Sequence, residues 1–266
     1  MSDDAIQGQK KTRPVLIFDS GIGGLSVMRH VRAQEPQLDL VYVADHAGFS
    51  YSDWEEAALV GHVVELMGGL IATHDPRAVV IACNTASTLV LPALREQFRV
   101  PFVGTVPAIK PAAAATRSGL VSVLATPGTV QRDYTFELIR QFAPQIAITL
   151  VGAQGLSHLA ELELAGEAVS DDDVMREIAP VFVDRDGLRT DTVVLACTHY
   201  PFLQAAFERI APWPVSWIDP APAIARRLST LIMDGPQGRG STAYFSTRPP
   251  ATFPSCFDAE GRWEQA

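Results

Sequence analysis

The chain has 266 residues, 47% of them hydrophobic, and a formal net charge of −9 from 21 basic and 30 acidic side chains. That length suits one large domain or two of about 100–150 residues each, and the apolar content excludes global disorder. The acidic balance argues against a nucleic-acid-binding stripe and against a polybasic membrane anchor, while leaving room for an anionic substrate in a cleft of opposite local charge.

Residues 1–13 are polar and lack the apolar core of a secretory signal. They read as a disordered leader, with the cytoplasm as the expected location. The apolar run at 15–18 reads as a buried strand. It stops at Asp19-Ser20-Gly21-Ile22-Gly23-Gly24, a tight turn, and a helical pattern starts at Leu25. Strands follow at 40–44 and 78–82, the latter leading through Cys83-Asn84-Thr85 into a helix that runs to about Phe98. Residues 101–104 are short and extended. The pattern then begins again, with a strand at 119–124, a turn at 125–129, a helix at 134–142 and a strand at 147–151. Another strand at 192–196 ends on Cys197-Thr198-His199. A short strand at 215–218, a helix at 222–233 and a late edge strand at 242–247 complete the series. No apolar run approaches the roughly 20 residues that span a bilayer, so no membrane partner is expected.

Strand-then-helix alternation predicts an α/β fold with mostly parallel sheets covered on both faces. The segment Val79-Val80-Ile81-Ala82-Cys83 recurs as Val193-Val194-Leu195-Ala196-Cys197, and residues 15–21 recur more loosely at 121–128. Two similar doubly wound parallel-sheet domains are therefore expected, with the active site in the cleft between them. The expected layout is a leader at 1–13, a first domain at 14–110 plus 215–250, a second at 111–214, and a flexible tail at 251–266. Ligands of such sheets bind beyond the carboxyl ends of the strands, where Asp19, Cys83, Thr126 and Cys197 all fall.

The three cysteines are Cys83, Cys197 and Cys256, without any Cys-x-x-Cys spacing. This is neither a disulfide framework nor a zinc ribbon. Cys256 lies outside the repeat and is assigned no role. The histidines at 30, 46, 62, 74 and 158 form no ligand cluster, so no metal is expected. Lys10, Lys11 and Lys110 are the only lysines. Two of them sit in the leader, which makes a pyridoxal Schiff base improbable; no cofactor is expected. Gly21-Ile22-Gly23-Gly24 lacks nucleotide-loop spacing.

A thiol at a strand-to-helix turn meets backbone N–H groups and a helix N-terminus, which lower its pKa from about 8.5 toward neutrality. Two such thiols facing each other suit stereoinversion at a carbon acid. One takes the α-proton from one face and the other returns a proton to the opposite face. Asp19 and His199 stand beside the thiols as candidate assistants. Asp19 alone also reads as a turn-former, and His199 alone as a structural histidine. Ser20, Asn84, Thr85 and Thr198 offer hydroxyls and amides to a substrate's carboxylates and ammonium.

Several segments together resemble the glutamate racemase family, within the aspartate/glutamate racemase superfamily. They are Phe18-Asp19-Ser20-Gly21-Ile22-Gly23-Gly24, Ala82-Cys83-Asn84-Thr85-Ala86-Ser87, Val106-Pro107-Ala108-Ile109-Lys110-Pro111, Leu124-Ala125-Thr126-Pro127-Gly128-Thr129 and Cys197-Thr198-His199-Tyr200-Pro201. The resemblance implies cofactor-independent interconversion of L- and D-glutamate, supplying D-glutamate for peptidoglycan, by an enzyme that forms dimers of varied arrangement. It implies Cys83 and Cys197 as the catalytic pair, with Asp19, His199 and Glu161 assisting. It also implies Asp19, Ser20, Tyr51, Ser52, Asn84, Thr85, Thr129, Thr198 and His199 as substrate contacts. Where the family has Pro-Tyr-Gly, this chain has Ser50-Tyr51-Ser52, which predicts a less rigid loop. The competing readings are an aspartate or hydantoin racemase, a thiol hydrolase with one nucleophile, and a non-catalytic regulator such as a gyrase-binding protein.

Overall fold

A computed structural model describes residues 12–232, 238–249, 254 and 262–266. Two parallel sheets carry the chain. The first is built from β1 (Val15–Asp19), β2 (Leu40–Ala44), β3 (Ala78–Ile81) and β4 (Phe102–Gly104), with helices α1 (Leu25–Gln34), α2 (Glu56–His74) and α3 (Asn84–Gln97) between them. Helix α4 (Ile109–Ala115) leads to the second sheet. Its first strands are β5 (Leu120–Ala125) and β6 (Ala147–Gly152), separated by α5 (Pro127–Val130) and α6 (Asp133–Phe142). Helices α7 (Leu156–Leu164) and α8 (Asp171–Ile178) follow, then a small antiparallel hairpin, β7 (Asp184–Arg185) and β8 (Leu188–Arg189). The chain continues through β9 (Thr192–Ala196), α9 (Gln204–Ile210), β10 (Ser216–Ile218), α10 (Ala221–Leu231), β11 (Thr242–Ser246) and β12 (Glu264–Gln265).

The six-stranded sheet has the order β12-β11-β2-β1-β3-β4 and the four-stranded sheet the order β10-β9-β5-β6. Parallel strands covered on both faces need apolar side chains on both faces. Val15, Leu16, Ile17 and Phe18 meet that need, and so do Val193, Val194 and Leu195; all are fully buried. Each such side chain contributes about 1.5–3 kcal/mol on leaving water.

The structure moves two of the expected domain boundaries. Residues 216–218 were expected in the first unit, but β10 pairs with β9 in the register Ser216↔Thr192 and extends the second sheet. Trp217 packs its ring against Phe207 and Phe182 of that unit, with centroids 5.0 and 6.3 Å away, which holds the strand there. The crossing back to the first sheet therefore comes at α10, where Ile224, Ala225 and Leu228 share a core with Val15 and Ile17. The expected tail is also partly ordered. Trp263 packs against Tyr42 and His46, and β12 pairs with β11. The expected leader falls mostly on residues 1–11, outside those described. Arg13 pairs with Asp75 at 2.7 Å, and Thr12 donates to Asp39 at 2.9 Å.

Helix α2 went unassigned in the sequence reading because it is apolar nearly all round and shows no clear 3.6-residue stripe. It is long and apolar enough by length and composition to cross a membrane. Its Leu59, Val63, Met67 and Leu70 are nonetheless buried against the first sheet with Leu16, Phe18 and Val79.

Candidate active site

The four strand ends named above deliver their residues to one place. Ser20, Tyr51, Ser52, Cys83, Asn84, Thr85, Cys197, Thr198 and His199 line a single small pocket, together with Phe49, Ser50, Thr126 and Ser157. Asp19, Glu161 and Thr129 stand directly behind this lining, each hydrogen-bonded to one of its residues. The pocket holds only about 20 Å³, room for about one water. Outside it lies a cavity of about 650 Å³ that shares Phe49, Ser50, Ser52, Thr126 and Ser157. At the mouth, Arg132 from the second sheet's side forms an ion pair with Glu56 at the start of α2.

Cys83 occupies the N-cap of α3. The Ser20 hydroxyl lies 3.6 Å from its sulfur and donates to Asp19 Oδ1 at 3.2 Å. Asp19 is fully buried and accepts from the Thr198 hydroxyl at 2.8 Å, a bond that ties the two halves together. Burial raises the Asp19 carboxyl above its ordinary range, and the charge of His199 and the hydrogen bonds from Thr198, Ser20 and Gly21 offset only part of that. The Cys83 thiol departs from the sequence expectation. The helix N-terminus does supply a donor, the Ala86 N–H, but burial and then the negative charge of Asp19 outweigh it and push the thiol up to about 12. Cys83 is therefore held protonated.

The second thiol has different company. Cys197 Sγ lies 3.8 Å from His199 Nδ1, and His199 Nε2 meets Glu161 Oε1 at 2.8 Å. Burial disfavours a charged imidazole, but the hydrogen bonds and charges of Cys197 and Glu161 prevail and hold His199 well above its ordinary value. Burial would likewise raise Glu161, yet the His199 hydrogen bond and charge keep it below the usual carboxylate range. The outcome is an imidazolium between a carboxylate and a sulfur, an arrangement that stabilises thiolates. Glu161 also accepts from the Ile22 N–H at 3.3 Å.

The glycine turn serves this close packing. A Cβ on Gly23 would stand 2.5 Å from both His199 Nδ1 and Thr198 Oγ1.

Further along the wall, Thr85, Thr126 and Thr129 join their hydroxyls in a triangle of 3.0, 3.4 and 3.1 Å. Both amide atoms of Asn84 are buried without a partner, as expected of groups that await a polar ligand. Lys110 is not among the lining residues; its Nζ lies 5.6 Å from the Phe142 ring centroid.

Tyr51 lines the pocket, but its hydroxyl donates to the buried Asp45 at 2.6 Å. Asp45 also meets His62 and Thr247 at 2.6 Å each. The Ser50-Tyr51-Ser52 loop is thus anchored from beneath, and Ser50 accepts from the Ser52 N–H at 3.4 Å. Tyr51→Phe is expected to lower unfolding stability by about 1.5–3 kcal/mol, the worth of a hydrogen bond to a charged group. Urea denaturation of the two proteins checks it.

The sequence reading missed Ser157. It lies on α7 one turn before Glu161, and the two reach Cys197 and His199 respectively. The i, i+4 spacing of two polar residues was the available signal, but α7 had not been assigned as a helix.

Comparison with known proteins agrees with this architecture. The family described as Asp/Glu/Hydantoin racemase matches residues 27–228. A glutamate racemase of Brucella canis is 56% identical over 244 residues, covering 90% of this chain and 88% of that protein. One from Brucella anthropi is 59% identical over 233 residues, 87% of this chain and 84% of its own. The crystal structure of Escherichia coli glutamate racemase in complex with L-glutamate and the activator UDP-MurNAc-Ala superposes with a TM-score of 0.83 at 41% identity, covering 90% of this chain and 91% of that one. By its sequence and its fold the chain belongs to the Asp/Glu/hydantoin racemase family, among the glutamate racemases.

Proposed function

We propose that the chain interconverts L- and D-glutamate without a cofactor, using Cys83 and Cys197 as opposed acid and base. The observation that carries the reading is the unequal setting of two thiols on one pocket. Burial and Asp19 keep the proton on Cys83, while Cys197 faces the His199 imidazolium. The pair thus sets a held proton donor against a sulfur that faces a positive charge, the asymmetry that one direction of inversion uses.

In that direction the Cys197 thiolate takes the α-proton. The Cα–H bond breaks, an S–H bond forms, and the electron pair passes into the α-carboxylate. Cys83 then gives its proton to the opposite face, its S–H bond breaking as the new Cα–H bond forms. The mirror-image substrate runs the sequence backwards. Asn84, the threonine triangle and backbone N–H groups receive the polar groups of the substrate, since no lysine or arginine is among the described residues that line the inner pocket. Glutamate reaches this pocket from the outer cavity of about 650 Å³. Supply of D-glutamate to peptidoglycan, a cytoplasmic location and a homodimeric assembly belong to the same proposal.

The test is incubation with L-glutamate and, separately, D-glutamate in D2O. The expected result is inversion of both, with deuterium at the α-carbon of the product. The matched family also covers aspartate and hydantoins. Inversion of either of these in place of glutamate would overturn the substrate and keep the chemistry.

A further inference from the structure

Each of the two cysteines that the pseudo-repeat places has a serine hydroxyl beside it. Ser20 Oγ lies 3.6 Å from Cys83 Sγ, and Ser157 Oγ lies 3.6 Å from Cys197 Sγ. The two serines do not come from equivalent positions. Ser20 sits in the turn after β1, whereas Ser157 sits in the first turn of α7. The same distance is reached from unrelated places in the chain, so the shared fold alone does not account for it.

Ser20 has a second partner away from the sulfur. Ser20 donates to the Asp19 carboxylate. Ser157 Oγ has the Cys197 sulfur as its side-chain partner, and either atom of that pair can donate.

We propose that Ser157 is a positioning residue for Cys197, the counterpart of Ser20 at Cys83. Its hydroxyl donates to the sulfur when the sulfur is negative, and accepts from the sulfur once the sulfur has taken the α-proton. When Cys197 is a thiol, its S–H points to Ser157 Oγ. When Cys197 is a thiolate, the Ser157 O–H points to Sγ. No heavy atom moves, and the proton that Cys197 accepts comes only from the substrate. Ser157 also lines both the inner pocket and the outer cavity, so this hydroxyl stands where substrate arrives. The proposal rests on the two-thiol reading above.

The experiment compares wild type with Ser157→Ala and Ser157→Thr. Iodoacetamide labelling at neutral pH is resolved by peptide mass, so that each cysteine reports separately. In Ser157→Ala the Cys197 rate is expected to fall about tenfold, the worth of one hydrogen bond to a charged group, while the Cys83 rate is unchanged. Ser157→Thr, which keeps the hydroxyl, restores the Cys197 rate. Racemisation falls by about the same factor in both directions, because the two enantiomers are equal in free energy. The primary deuterium isotope effect should rise for the enantiomer deprotonated by Cys197 and fall for its mirror image. A merely structural loss would move neither the isotope effects in opposite senses nor the labelling of one cysteine alone. Equal labelling of Cys197 in all three proteins, with wild-type inversion intact, overturns the role of Ser157 and leaves the two-thiol reading standing. Inversion that survives in Cys197→Ala overturns both.

Discussion

Cys83→Ala and Cys197→Ala are each expected to lower racemisation of glutamate by about 10²–10⁴-fold or more, the range lost with a general acid or base. The two losses come from different steps. Without Cys83, the face opposite Cys197 has no proton donor, and its pocket neighbours Ser20 and Thr85 are hydroxyls that give up a proton far less readily. Without Cys197, the base is gone and the His199 imidazolium, already protonated and bound to Glu161, cannot replace it. Each variant keeps one thiol on one face, so slow α-proton exchange with retained configuration is expected to outlast inversion. The sulfur atoms are buried but small, and the fold should survive; matching circular dichroism spectra verify that point. Inversion within tenfold of wild type in either variant would sink the two-thiol mechanism. Loss in one variant only, with a trapped acyl-enzyme, would point instead to a single nucleophile.

Much of this arrangement was legible in the chain because parallel sheets make unusual demands on sequence. Strands such as 15–18 and 192–196 must be apolar on both faces, so they stand out as short unbroken runs. The residues at their carboxyl ends, Asp19, Cys83 and Cys197, then follow from topology. What stayed hidden has physical reasons as well. Helix α2 is apolar on nearly every side and carries no period to read. Trp263 anchors a stretch whose composition resembles a frayed end, and only its contacts with Tyr42 and Tyr244 reveal the anchor. Ser157 is one serine among many until α7 is folded against Cys197. The protonation of Cys83 was misjudged for a related reason. A helix N-terminus is visible in sequence, whereas full burial beside a buried carboxylate is a tertiary property, and here it is the larger effect.

His199→Gln is the second substitution with a large expected effect, about 10²-fold on racemisation. Glutamine can still donate one hydrogen bond to Glu161, but it removes the positive charge that lies between Glu161 and Cys197. The carboxylate of Glu161, about a fifth exposed, then loses its counter-charge, and stability should fall by about 1–3 kcal/mol, less than for a fully buried pair. The pH dependence has a definite sign. His199 has a folded pKa well above 6.5, so its contribution is fully present below that unfolded value and disappears as pH rises through the folded one. Glu161 has a folded pKa below 4.5, so its share is present above that value and disappears as pH falls through the folded one. The stability gap between wild type and His199→Gln is thus greatest between those limits and closes on both sides. Urea denaturation across the pH range measures it, and a gap that stays constant into the alkaline range would mean that His199 is neutral in the folded protein. In that event the imidazole could only orient the Cys197 sulfur, and the charge that favours its negative form would have to come from the substrate's own ammonium group.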